Sequence, residues 1–86
     1  MTPEEIRATV LTTLGRVVPG AEIANLDGGA DLREQLDMDS LDVLNFAAAL
    51  SEKLGVPVPE VDYPHLLTLD SCTAYLSATN AKGREQ

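Results

Sequence analysis

Apolar residues recur at helical spacing from Ile6 through Val10 and Leu14 to Val17, with Leu11 and Val18 widening the stripe. This pattern predicts a first helix whose start is marked by residue chemistry. Thr2 can accept from backbone N–H groups as N-cap, Pro3 suits the first turn, and Glu5 completes a capping box. Pro19-Gly20 ends the helix. From Ala21 to Leu36 no period is sustained and Gly28-Gly29 interrupts, so the stretch reads as a long loop pinned by Ile23, Leu26, Leu32 and Leu36. Loops longer than about 12 to 15 residues in compact domains are usually functional or disordered. The apolar anchors predict that this one is ordered.

The second helix is predicted from Ser40 to about Leu54, with Asp39 as N-cap and Gly55 as stop. At about 100° per residue from Val43, the positions Ala47, Leu50 and Leu54 fall within about 40° and Phe46 at about 60°, which defines a core face. Leu41, Leu44 and Ala48 lie about 100° to 160° round, beside Asn45 and Glu52, and form a second apolar stripe directed away from the core. Either another helix covers that stripe or it is a docking surface exposed to solvent. Val56-Pro57-Val58-Pro59 cannot continue a helix and lacks the donors of a central strand, so it is an extended connector. Tyr63 to Leu67, containing Pro64, allows a short third helix. Thr68 then caps a fourth, on which Leu69, Cys72 and Leu76 share a face. Residues 81–86 read as a polar tail that frays, leaving a single domain over 1–80. The expected fold is all-α: a four-helix bundle with three long helices, a short third helix and a long loop between the first two.

Composition narrows the function. A chain of 86 residues holds one domain, burying roughly 60 to 70% of its unfolded surface. Its aromatics are Phe46, Tyr63 and Tyr75, so the core must come from aliphatic residues, which suit packed helices better than a small sheet. Six basic residues stand against 14 acidic ones, a net charge of −8 at pH 7. That balance repels phosphate backbones and anionic membranes and makes a basic protein surface the natural partner. Cys72 is the only cysteine, which excludes an intramolecular disulfide and a multi-cysteine metal site and fits a reducing cytoplasm. The longest apolar run, Phe46 to Leu50, is far short of the about 20 residues a membrane span needs. The first residues also lack the basic start of a signal peptide. The expectation is a cytoplasmic monomer.

The segment Asp37-Met38-Asp39-Ser40-Leu41-Asp42 is the richest in polar chemistry. As a calcium loop starting at Asp37 it fails, because Leu41 and Asp42 occupy the positions of the third ligand and the required glycine. A hydrolase built on Ser40 and His65 has no nucleophile-elbow motif and little scaffold for an oxyanion hole. Taken alone, Ser40 after Asp39 is a helix-start residue of an acidic helical interaction domain.

The run Leu36 to Asp42, the amphipathic helix to Leu54 and then Gly55-Val56-Pro57-Val58-Pro59 resemble the core signature of the acyl carrier proteins, and Leu66-Leu67-Thr68-Leu69 is similar to the stretch before that family's last helix. The resemblance implies a carrier and not an enzyme, holding acyl intermediates as thioesters on a 4'-phosphopantetheine arm attached to Ser40. A helix N-terminus suits such a phosphodiester, since it presents free N–H groups and a positive dipole end. It implies as partners a phosphopantetheinyl transferase, whose basic group Asp39 would meet, and acyl-loading and acyl-transfer enzymes with basic docking surfaces. Leu41, Asp42, Leu44, Ala48 and Glu52 would form the docking surface with Asp39, while Phe46, Ala47, Leu50 and Leu66 would line an acyl pocket between the helices. An aminoacyl or peptidyl carrier would bear the same arm. Two positions depart from the family pattern. Asp37 stands where the family commonly has glycine, and Asn45, Ser51 and Lys53 thin the acidic face of the second helix. The second departure points to a specialised fatty-acid or polyketide-like pathway.

Overall fold

The computed structural model describes residues 1–84, with side chains described through Thr79. Four α-helices and two 3₁₀ segments follow one another: α1 (Pro3–Val17), a 3₁₀ turn (Ile23–Asn25), α2 (Leu32–Leu36), α3 (Ser40–Leu54), a 3₁₀ segment (Glu60–Leu66) and α4 (Leu69–Arg84). Among the described residues the architecture is all-helical. Three long helices carry the bundle: α1 packs on both α3 and α4, and the Glu60–Leu66 segment bridges α3 and α4.

The cap chemistry read from the sequence sets the helix starts. Glu5 N–H donates to Thr2 Oγ1 at 3.2 Å while Thr2 N–H donates to Glu5 Oε1 at 2.9 Å, the reciprocal pair of a capping box. Ser71 N–H donates to Thr68 Oγ1 at 3.1 Å at the head of α4. Gly55 closes α3 in the left-handed region at φ 66°, where a residue without Cβ is unstrained. Ile6, Val10 and Leu14 of α1 meet Phe46, Ala47 and Leu50 of α3 and Leu69, Cys72 and Leu76 of α4 in one core, each at most 2% exposed. Thr13 enters this core with its hydroxyl satisfied, donating to Thr9 O at 2.7 Å. Burial pushes the Cys72 thiol up to about 12, because a thiolate there would lose its hydration.

Three expectations change in detail. The stretch expected as a plain loop contains the 3₁₀ turn and the five-residue α2, capped by Asp31, whose Oδ1 accepts from Arg33 N–H at 2.8 Å. So short a helix shows no apolar period. The Tyr63–Leu67 turn begins earlier, at Glu60, because Asp62 N–H donates to Pro59 O at 2.9 Å and starts it ahead of Pro64. Helix α4 extends through Arg84, whereas the expected frayed tail over 81–86 concerns residues whose side chains, and at 85–86 whose backbone, fall outside the described residues.

The long loop is held by polar contacts as much as by its apolar anchors. Leu32 is buried and Ile23, Leu26 and Leu36 pack at the core edge. Gln35 clamps the loop from inside, accepting from Asp27 N–H at 2.8 Å and donating to Asp27 O and Ala30 O. Leu32 N–H donates to Leu67 O at 2.7 Å, and Asp70 N–H donates to Gly28 O at 2.9 Å. Arg7 of α1 completes this latch through Asp70 at 3.2 Å.

Candidate functional site

The turn between α2 and α3 presents Ser40. Asp37 ends α2 in the left-handed region at φ 53° and ψ 46°, the conformation a glycine would supply, so the turn is kept with an aspartate in it. Asp37 N–H and Met38 N–H both donate to Arg33 O, the latter at 3.0 Å. Asp39 then turns extended as the N-cap of α3. Its Oδ1 accepts from Asp42 N–H at 2.8 Å, and Asp42 Oδ2 accepts from Asp39 N–H at 3.2 Å. Asp39 and Asp42, two of the three expected docking carboxylates, are therefore tied to the helix cap. Ser40 follows as the first residue of α3 and is exposed.

Beyond Ser40, α3 has two faces, as its periodicity predicts. Phe46, Ala47 and Leu50 are buried, whereas Leu41 is 60% and Leu44 48% exposed, with Ala48 exposed beside them. No described helix covers that stripe. Glu52 is exposed one turn beyond Ala48 and lines a separate hollow with Thr13, Arg16 and Lys53.

An open groove of about 700 Å³ begins at Ser40. Its walls include Val43 and Leu44 of α3, Tyr63, Pro64 and Leu67 of the neighbouring segment, and Arg33 of α2. The four residues expected to line an acyl pocket between the helices lie in the core and not on this groove. Phe46, Ala47, Leu50 and Leu66 are each at most 1% exposed and pack in the core behind the groove, and none lies on its wall. The physical reason is direction: the most inward positions of an amphipathic helix fill the core, and a groove between elements is lined by the residues at the edge of that face. Arg33, Tyr63 and Leu67 escaped the sequence reading because only the fold brings them to Ser40.

Arg33 is held in place by Asp31. Its Nε donates to both carboxylate oxygens at 3.2 and 3.3 Å, and its Nη2 to Oδ2 at 2.8 Å. These bonds hold the Asp31 carboxyl below its ordinary value and raise that of Arg33. Among the described residues, no group of three or more His, Cys, Asp or Glu side chains stands where it could hold a metal ion. Likewise no described helix is long and apolar enough to cross a membrane.

A family model described as "Phosphopantetheine attachment site" matches residues 4–76, which runs from the start of α1 through the first half of α4. The chain belongs to the acyl carrier protein family. It is 32% identical over 79 residues to an acyl carrier protein of Rhodococcus erythropolis, covering 88% of this chain and 87% of that one. A second acyl carrier protein, from Campylobacter hominis, is 32% identical over 77 residues, with 90% and 91% covered. A meromycolate extension acyl carrier protein of Mycobacterium bovis is 28% identical over 85 residues, covering 99% of this chain and 73% of that relative. The carrier is thus a substrate for enzymes and not itself an enzyme, its cofactor is a covalent 4'-phosphopantetheine, and its family works with phosphopantetheinyl transferases and acyl-handling enzymes. The residues present fit that group: an exposed hydroxyl at the head of a long helix stands at the mouth of a groove with room beside it and a cation on its wall.

Proposed function

We propose that Ser40 bears the arm and that the carrier presents acyl thioesters to the enzymes of a specialised fatty-acid or polyketide-like pathway in the cytoplasm. The observation that carries this reading is the position of Ser40, exposed and first in α3, with the groove opening beside it. The arm supplies a terminal thiol on a flexible tether, and the chain's own residues supply its placement and its recognition. Asp39 and Asp42 fix the start of α3, so the hydroxyl of Ser40 is presented on a rigid element. Leu41, Leu44 and Ala48 offer an apolar stripe of the kind that marks a protein contact, framed by acidic residues that attract basic partners.

Support for a specialised pathway comes from the exposed face of α3, where Asn45 and Lys53 stand beside Glu52. The Mycobacterium bovis relative is named for meromycolate extension, a role distinct from the unqualified names of the Rhodococcus and Campylobacter relatives.

Incubation with coenzyme A and a phosphopantetheinyl transferase should add one arm to the wild-type chain, seen as a single intact-mass increment, and none to Ser40→Ala. In the same assay Leu44→Asp should fold with an unchanged Tm and be modified or loaded at least several-fold more slowly. Unchanged mass of the wild type with transferases of broad specificity would make the chain an unmodified interaction domain. A large fall in Tm for Leu44→Asp would place that side chain in the interior, where an unpaired carboxylate is costly.

A further inference from the structure

The groove at Ser40 has walls of two kinds. Val43, Leu44 and Leu67 are apolar, whereas Arg33 and Tyr63 bring hydrogen-bond donors. Among the described residues that line it, Arg33 is the one cation, in the company of Asp39 and Glu60 and in a chain of net charge −8.

Two sets of bonds give Arg33 a defined place. Its carbonyl accepts from Met38 N–H at 3.0 Å and so ties it to the turn that leads to Ser40. Its Nε and Nη2 are engaged by Asp31, which leaves the two donors of Nη1 outside that pair. The pair is partly exposed, at 50% and 28% for the two side chains. Exposed pairs of this kind are weak, so Asp31 orients the guanidinium more than it saturates it.

We propose that this groove is the resting site of the arm itself, with Arg33 holding the phosphodiester and Tyr63 offering its hydroxyl to an amide carbonyl further along. The inference rests on Ser40 being the attachment residue. The chemistry of the arm runs in matching order: an anion at the protein end, a branched apolar carbon next to it, then amides. An anion leaving Ser40 is repelled by Asp37, Asp39 and Asp42 on the flanking turn and attracted by the guanidinium across the groove. A phosphodiester suits arginine in particular, since the planar fork presents paired N–H donors. Laid down in this way, the arm covers Val43 and Leu44 while no partner is docked.

The test compares apo and holo protein by amide NMR, with intact mass recording the arm. In the wild type, arm attachment should move the resonances of Val43, Leu44, Tyr63 and Leu67 as well as those of residues 39–42. In Arg33→Gln, which keeps the backbone bonds of α2, the mass gain should be the same and the groove shifts several-fold smaller. High salt should shrink them in the wild type too, a measurement that stands even where the variant does not fold. Wild-type shifts confined to residues 39–42 would overturn the resting site, and groove shifts equal in Arg33→Gln would overturn Arg33 as its anchor, each leaving Ser40 as the attachment residue. No mass gain at all would remove the attachment and the resting site together.

Discussion

Asp37 shows how much one residue's backbone decides. In the left-handed region, where an L-residue costs about 1–2 kcal/mol, aspartate is among the better tolerated side chains. Replacing it with glycine relieves that strain but loosens the unfolded chain, a loss of about 0.4–1 kcal/mol. Asp37→Gly should therefore leave urea-unfolding stability within about 1 kcal/mol of wild type, and Asp37→Val should lower it by about 1–2 kcal/mol. A Val variant as stable as the wild type would show that the turn does not need this conformation. The departure at Asp37 was visible in the sequence, but its outcome was not, because aspartate permits the left-handed turn without requiring it. The caps at Thr2, Asp39 and Thr68 were fully legible, since each is a local signal completed within three residues.

At the level of elements, the long helices announced themselves through apolar period and caps, and both faces of α3 stand where the spacing put them. What the sequence hid was the packing between elements. The groove is lined from α2, α3 and the Glu60–Leu66 segment together, so no single stretch carries its signature. The loop latch is hidden for the same reason, joining Gly28 to Asp70 and Asp70 to Arg7. A Cβ at Gly28 would stand 2.5 Å from Asp70 Oδ1, so the Asp70 carboxylate must move and release Arg7. Gly28→Ala should cost about 1 kcal/mol in thermal unfolding, and only a few tenths in an Asp70→Ala background. Equal costs in both backgrounds would mean that the clash is relieved elsewhere.

The whole molecule acts as one charged body. With net charge −8 it repels itself when compact and attracts a basic partner at long range. Both effects are screened as the Debye length falls from about 30 Å at 0.01 M salt to about 3 Å at 1 M. Added sodium chloride should therefore raise the Tm of the carrier while lowering the kcat/KM of its modification by a basic transferase. A modification rate indifferent to salt would assign recognition to the apolar stripe alone. The bundle also hides its own thiol, for Cys72 is fully enclosed and its thiol is pushed up to about 12. The native chain is in consequence silent towards alkylating dyes and mild oxidants, which attack thiolates that solvent can reach. Any fast sulfhydryl titre then belongs to arms without cargo, and a simple colorimetric count of thiols becomes a gauge of how much of the carrier pool stands empty.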